Sequence, residues 1–87
     1  MTYKIFIERS AEKDLKKIPK EVKKKIVLAA FKLEENPRLS AARKIASSEN
    51  YYRIRVGDYR IIYEISDKEK RINIFKIRHW KEAYLNL

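Results

Sequence analysis

The chain has 87 residues, with 22 Lys and Arg against 12 Asp and Glu, a net charge of +10 and a pI near 9.9. This length allows one domain with a modest core, and the charge excess favours a polyanionic partner: RNA, DNA or an acidic protein. A charge-rich surface typical of thermophiles is the alternative, because 39% of the residues are charged.

The composition also excludes several kinds of chemistry. The chain has no cysteine and one histidine, which excludes a disulfide framework, thiolate chemistry and a structural zinc site. The N-terminal segment becomes charged too soon for a signal peptide, and no apolar run approaches the roughly 20 residues needed to span a bilayer. We therefore expect a single cytoplasmic domain over residues 1–87, without a metal or another cofactor.

The N-terminal part of the chain predicts a strand followed by two helices. Residues 3–8 alternate with a period of two, as in a strand. Ser10 is a candidate cap for a short helix that Pro19 stops. A second, longer helix begins directly after Pro19, carries one apolar stripe, and ends at Asn36 and Pro37. The two helices are expected to form an αα-hairpin.

The C-terminal part predicts a meander of three strands. The signals are weak between residues 37 and 50, where nothing firm is predicted. The strands cover residues 51–56, 59–66 and 71–78, and a short helix is expected over residues 81–87. The resulting order predicts an α+β fold in which two helices pack on one face of a small, mainly antiparallel sheet. The other face of the sheet is then open to solvent.

The stretch "RIRVGDYRIIY" determines how the arginines are arranged. A two-residue loop at Gly57-Asp58 pairs Arg55 with Arg60. This register directs apolar residues to the core face, namely Tyr52, Ile54, Val56, Tyr59, Ile61 and Tyr63. The opposite face receives Arg53, Arg55 and Arg60. We place Phe75 and Ile77 of the third strand on the core side, which sets Arg78 opposite Arg60.

Four arginines on one sheet face repel one another, at about 0.2–1 kcal/mol for each pair of like charges. Few acidic residues are near enough to neutralise them, and Glu64 and Glu82 are the candidates. Guanidinium groups stay charged and offer forked donors that match phosphate oxygens. The pattern therefore indicates an anion site, whereas the simpler interpretation is that arginines fill the wet face of a sheet.

These residues carry a resemblance to a known family. The segments "YKIFIERSAEKDLKKIP", "LEENPR", "YYRIRVGDYRIIYEI" and "IFKIRHWKEAY" resemble the RelE/ParE superfamily of toxins from bacterial and archaeal toxin–antitoxin systems. The resemblance covers nearly the whole chain, and the central hairpin is its most specific part. It implies a RelE-like fold and neutralisation by a cognate antitoxin that wraps the toxin.

For the RelE branch, the resemblance implies a ribonuclease that cuts mRNA in the A site of the ribosome, by attack of the 2′-hydroxyl on the adjacent phosphate and without a metal. Arg60 and Arg78 would hold the phosphate, Arg53 and Arg55 would bind the RNA backbone, and Tyr84 would stack on a base or orient it.

The general base is not assigned by this resemblance. The best-known RelE enzyme has lysines at the positions of Arg53 and Arg55, and arginine cannot be tuned to accept a proton. His79 is the candidate base because its pKa ordinarily lies near neutrality, and a structural histidine at the strand end is the alternative. Trp80 stands where many relatives carry arginine, as a base-stacking platform or as a plug between strand and helix.

Other functions remain open on the sequence alone. The chain is alternatively a ParE-like toxin that inhibits DNA gyrase, or an inactive RelE-like protein that binds only RNA or an antitoxin. Lys23 and Lys24, in the basic run "KEVKKKI", are candidates for contacts with RNA or with an acidic antitoxin segment. The alternative for these lysines is an ordinary solvated helix face.

Overall fold

Two helices pack on one face of a five-stranded sheet. The structure is a computed structural model that describes residues 2–39, 42–45 and 50–79. The elements are β1 (Lys4–Ile7), α1 (Arg9–Lys16), α2 (Lys20–Glu35), β2 (Arg43–Lys44), β3 (Tyr51–Val56), β4 (Tyr59–Ser66) and β5 (Arg71–His79). The strand order is β1-β5-β4-β3-β2, with β1 parallel to β5 and all other neighbours antiparallel. The predicted α+β fold is confirmed, and the helix expected over residues 81–87 lies outside the described residues.

The core lies between the helices and the inner face of the sheet. Ile26 and Leu33 of α2 are buried against isoleucines of the three central strands and against Tyr63. Each fully buried side chain of this size contributes about 1.5–3 kcal/mol. Because strand side chains alternate between faces, this apolar set fixes which residues point away from the helices. Neither helix is long and apolar enough to cross a membrane among the residues described.

The predicted hairpin register is confirmed. Val56 pairs with Tyr59, and Arg55 pairs with Arg60. Gly57 has a φ of +60°, a conformation in which a side chain is strained, so the only glycine of the chain stands where the two-residue turn needs it.

The predicted core position of Phe75 is wrong. Ile62 pairs with Lys76 while Tyr63 pairs with Ile74, so Phe75 is an extra residue in a β-bulge. Ile74 and Ile77 on either side of the bulge are buried, whereas Phe75 is 40% exposed. The bulge changes the alternation within β5, which a strict period of two could not anticipate.

Helix α1 covers the part of β5 that β1 does not reach. β1 pairs only with the first four residues of β5. Beyond them, Ser10 Oγ donates to the Phe75 carbonyl at 2.6 Å, and the Ile77 amide donates to Asp14 Oδ2 at 3.0 Å. The prediction of Ser10 as a cap is wrong, because the residue lies inside α1 and its hydroxyl bonds to the sheet. Two side chains of α1 thus satisfy backbone groups along an open strand edge.

The segment after α2 is fixed to the sheet by a polar network. The buried Tyr63 hydroxyl donates to the Pro37 carbonyl at 2.7 Å. Arg38 donates to both carboxylate oxygens of Asp67, and its Nε donates to the Tyr52 hydroxyl. These bonds hold Pro37 and Arg38, just after α2, against β3, β4 and the turn that follows β4.

Candidate functional site

Three arginines stand side by side on the sheet face that the helices do not cover. Arg55 of β3 pairs with Arg60 of β4, and Arg60 pairs in turn with Arg78 of β5. We call this set the arginine row. Direct cross-strand partners lie about 4.5–5.5 Å apart at their Cβ atoms, so the row concentrates three positive charges within a short span. The predicted positions of Arg60 and Arg78 opposite each other are confirmed.

A short strand that the sequence did not predict adds a further arginine. Arg43 of β2 is the direct partner of Arg53. A depression of about 140 Å³ is lined by Arg43, Arg53, Ile54, Arg55 and Arg60. Arg55 Nε donates to the Gly57 carbonyl at 2.9 Å, which ties this guanidinium to the hairpin turn. Four guanidinium-bearing residues thus line one concave surface, and two of them, Arg55 and Arg60, belong to the row.

A carboxylate beside the row belongs to Asp14, which the sequence pattern does not mark. Asp14 Oδ1 lies 3.6 Å from Arg78 Nη1, and the Asp14 side chain is only 12% exposed. Glu64, one of the acidic residues considered from the sequence, instead accepts a hydrogen bond from Asn73 Nδ2 at 3.1 Å. Glu82 lies outside the described residues. No local pattern signals this contact, because α1 and β5 are far apart in the chain.

His79 lies on the other face of the sheet from the arginine row. It is the direct partner of Tyr59, and the two rings meet edge to face with centroids 5.4 Å apart. They belong to the face that also carries the buried Ile61 and Ile77. A cavity of about 370 Å³ is lined by Asp14, Lys17, Ile18, Tyr59, Ile77, Arg78 and His79. The structure therefore does not bring the candidate base onto the face of the row, although Arg78 borders the cavity of His79.

Lys23 and Lys24 are also separated from the row. They lie on α2, in the helix layer, so the sheet stands between them and the row. They border an apolar surface formed by Val27 and Leu28. The Leu28 residue is 61% exposed. The structure does not bring these lysines together with the arginines. Trp80 and Tyr84 lie outside the described residues.

The arrangement of the row is chemically suited to an anion. Guanidinium groups remain protonated throughout the biological pH range and donate in pairs to phosphate oxygens. Arg60 Nη1 is inaccessible to solvent, and a partly desolvated cation acts more strongly on a nearby negative charge than a solvated one. A row of this kind can hold a phosphate and stabilise the additional charge of a phosphorane.

Comparison with known proteins agrees with the fold and identifies the family. Residues 5–84 match the family described as ParE toxin of type II toxin–antitoxin system, parDE. The chain is 33% identical over 85 residues to Toxin RelE3 of Methanocaldococcus jannaschii, covering 93% of this chain and 94% of that protein.

Two solved structures have closely similar folds. The archaeal RelE–RelB complex from Pyrococcus horikoshii matches with a TM-score of 0.81 and 31% identity, over 91% of this chain and 96% of that chain. The RelBE2 toxin–antitoxin complex from Mycobacterium tuberculosis matches with a TM-score of 0.81 and 26% identity, over 91% of this chain and 99% of that chain.

A two-helix layer on a mixed sheet is an architecture that this chain shares with the small toxins of toxin–antitoxin complexes. The extent of the sequence match makes the assignment specific. This chain belongs to the RelE/ParE superfamily and is a RelE-family toxin of a type II toxin–antitoxin system.

Proposed function

We propose that the protein is an endoribonuclease that cuts mRNA in the A site of the ribosome and so inhibits translation. The observation that carries this proposal is the arginine row, Arg55, Arg60 and Arg78, paired across three strands on the uncovered face of the sheet. Such a cluster is costly for a free protein, and a bound phosphate offsets that cost. An enzyme that works on the ribosome acts in the cytoplasm.

The proposed reaction needs positioned positive charge more than any other group. The substrate 2′-oxygen forms a bond to the adjacent phosphorus while the bond from phosphorus to the 5′-oxygen breaks, giving a cyclic phosphate and a 5′-hydroxyl. Arg60 and Arg78 stabilise the charge on the phosphorane, and Arg53 and Arg55 bind the neighbouring backbone. Arg43, opposite Arg53, joins this set as a backbone contact. Removing one such stabilising donor typically costs about 10²–10³ in rate.

Two proton transfers accompany this reaction, and the proposal names a candidate for the first, the base. The 2′-hydroxyl must lose a proton and the 5′-oxygen must gain one. His79 is proposed as the base for a 2′-hydroxyl that sits in the cavity lined by His79 and Arg78, at the start of β4 and the end of β5. Tyr84 is proposed to stack on a nucleobase of the RNA or to orient it. A His79→Ala variant that cuts mRNA at least tenfold more slowly than the parent supports the role of His79, and an unchanged rate removes it.

Purified protein tests the function directly. It is expected to stop translation in a cell-free system and to cut mRNA on programmed ribosomes at positions within the A-site codon. Arg60→Ala is expected to cut more slowly than the parent. Its matched control is Lys25→Ala, which removes an exposed cation of the helix layer and should cut as the parent does. Intact mRNA in the presence of excess folded protein would contradict the proposal.

A ParE-like toxin that inhibits DNA gyrase is the second candidate, favoured by the match to the ParE toxin family over residues 5–84. If the protein abolishes supercoiling by DNA gyrase and has no effect on translation, the ParE-like function is the correct one. A third outcome, neither activity with retained antitoxin binding, would identify an inactive member of the family.

A cognate antitoxin is the proposed protein partner, as in the RelE–RelB complex of P. horikoshii. The net charge of +10 suits an acidic segment of such a partner. Lys23 and Lys24 on α2 are proposed to meet an acidic antitoxin segment or rRNA at a surface separate from the arginine row. Lys23→Glu with Lys24→Glu is expected to weaken that binding and to leave the binding of a short RNA unchanged.

A further inference from the structure

An aromatic pair lies on the same uncovered sheet face as the arginine row. The rings of Tyr51 and Phe75 are stacked, with centroids 5.5 Å apart and planes 17° from parallel. Tyr51 belongs to the face of Arg53 and Arg55 by the alternation of β3. The pair therefore spans from β3 to β5 across the outer surface of β4.

The β-bulge is what brings Phe75 to this face. Regular pairing would place Phe75 among the buried isoleucines, but Ile74 and Ile77 fill the core instead. Phe75 remains 40% exposed, although burying a phenylalanine is ordinarily favourable by about 1.5–3 kcal/mol. Bulges often re-aim a side chain beside a functional site. The core thus does not explain the position of this ring.

The aromatic pair is continuous with the proposed phosphate site. Phe75 is three residues before Arg78 on β5, a separation of about 10 Å along the strand. Tyr51 is two residues before Arg53 on β3. A nucleic acid strand bound through its backbone at the arginines would therefore bring a neighbouring base over the rings. Arginines next to exposed aromatic rings are the arrangement that single-stranded RNA binds, through its phosphates and its base faces.

We propose that the Tyr51 and Phe75 rings form a base-stacking subsite for a nucleotide next to the scissile phosphate. The inference rests on the proposed function, because it takes the RNA of that reaction as its ligand. Phe75 supplies the exposed ring, and Tyr51 holds that ring against the sheet. Stacking has no hydrogen-bond code, so the subsite adds affinity and position with little dependence on which base is present.

The first test measures RNA binding without the ribosome. The probe is a short fluorescein-labelled oligoadenylate, titrated with the full-length protein at low salt and followed by anisotropy. Phe75→Ala is expected to weaken binding by about five- to a hundredfold, the range for loss of one stacked base. Phe75→Tyr keeps a ring and should bind as the parent does, whereas Phe75→Leu keeps apolar bulk and should bind as poorly as Phe75→Ala. Phe31→Ala, which removes a 57% exposed ring from α2, is the matched control and should leave binding unchanged.

The second test finds the base and separates this inference from the function. Programmed ribosomes carry mRNA with one abasic nucleotide at successive positions around the A-site codon. At one position, Phe75→Ala and the abasic nucleotide together should slow cutting no more than either change alone, because both remove the same contact.

If the parent protein cuts no mRNA, the proposed function fails while the oligoadenylate titration still decides the subsite. If the parent cuts and Phe75→Ala binds and cuts normally, the subsite fails and the function stands. Weakened antitoxin binding by Phe75→Ala, with normal RNA binding, would overturn the subsite in favour of a protein contact.

Discussion

Replacing Asp14 by alanine is expected to loosen the attachment of α1 to the edge of β5. Asp14 Oδ2 accepts the Ile77 amide at 3.0 Å, and Asp14 Oδ1 lies 3.6 Å from Arg78 Nη1. The side chain is 12% exposed, so water replaces the lost acceptor poorly. In the variant, the partly buried Ile77 amide has lost the side-chain acceptor of its hydrogen bond.

The magnitude follows from the two contacts. A hydrogen bond to a charged acceptor contributes about 1.5–3 kcal/mol. The ion pair with Arg78 is long and partly solvated, so it adds at most about 1 kcal/mol. A total near 2 kcal/mol corresponds to a fall in Tm of about 8–16 °C for a domain of this size. Asp14→Asn keeps an acceptor oxygen for the Ile77 amide, and its Tm should therefore fall by less than half as much.

Thermal unfolding followed by circular dichroism provides the measurement. Glu12→Ala removes an exposed carboxylate from the same helix and serves as the control, with an expected fall in Tm of no more than a few degrees. Equal Tm values for Asp14→Ala and the parent protein would refute the role of Asp14 at the strand edge. Equal shifts for Asp14→Ala and Glu12→Ala would show that only the charge of α1 matters.

Three further predictions concern the scaffold of the site. Hydrogen bonds donated by Arg38, and next by Tyr3, lower the pKa of Asp67 from 3.8 to about 2, so their stabilisation is present above about pH 4 and is lost as the pH falls towards 2. Asp67→Asn should flatten the acid limb of urea midpoints measured between pH 2 and pH 5, and an unaltered limb would contradict this. Tyr63→Phe leaves the buried Pro37 carbonyl without its donor and should lower the free energy of unfolding by about 1–2 kcal/mol, whereas urea curves that overlay those of the parent would show the bond to be dispensable. Gly57→Ala meets no atom within 4 Å but must adopt a φ of +60°, so it should lower that free energy by about 1 kcal/mol through backbone strain alone, and a stabilised variant would exclude the strain.

Much of the sheet was predictable because local rules determine it. The turn at Gly57-Asp58 fixes the β3 to β4 register, and the apolar alternation fixes which face is buried. These two facts suffice to put Arg55 and Arg60 together. The helices were predictable from their apolar stripes and from the prolines that bound them.

The missed features depend on contacts between distant segments. The bulge at Phe75 arises because two stretches of β5 must both bury isoleucines, and nothing in the local sequence marks its position. β2 is two residues long and forms against β3, so Arg43 shows no strand periodicity. Asp14 joins the site through β5, from a helix near the other end of the chain. Chemistry alone makes His79 a candidate base, whereas the alternation of β5 turns its side chain to the face opposite the arginine row.

The central claim is that the arginine row promotes cleavage of RNA. Single-turnover cutting of mRNA on programmed ribosomes, compared between the parent protein and Arg60→Ala, tests it most directly. We predict a fall in rate of at least tenfold and up to about 10²–10³-fold, with a normal rate for Lys25→Ala and partial activity for Arg60→Lys. An Arg60→Ala variant that cuts at the rate of the parent would contradict the assignment of the row as the catalytic anion site.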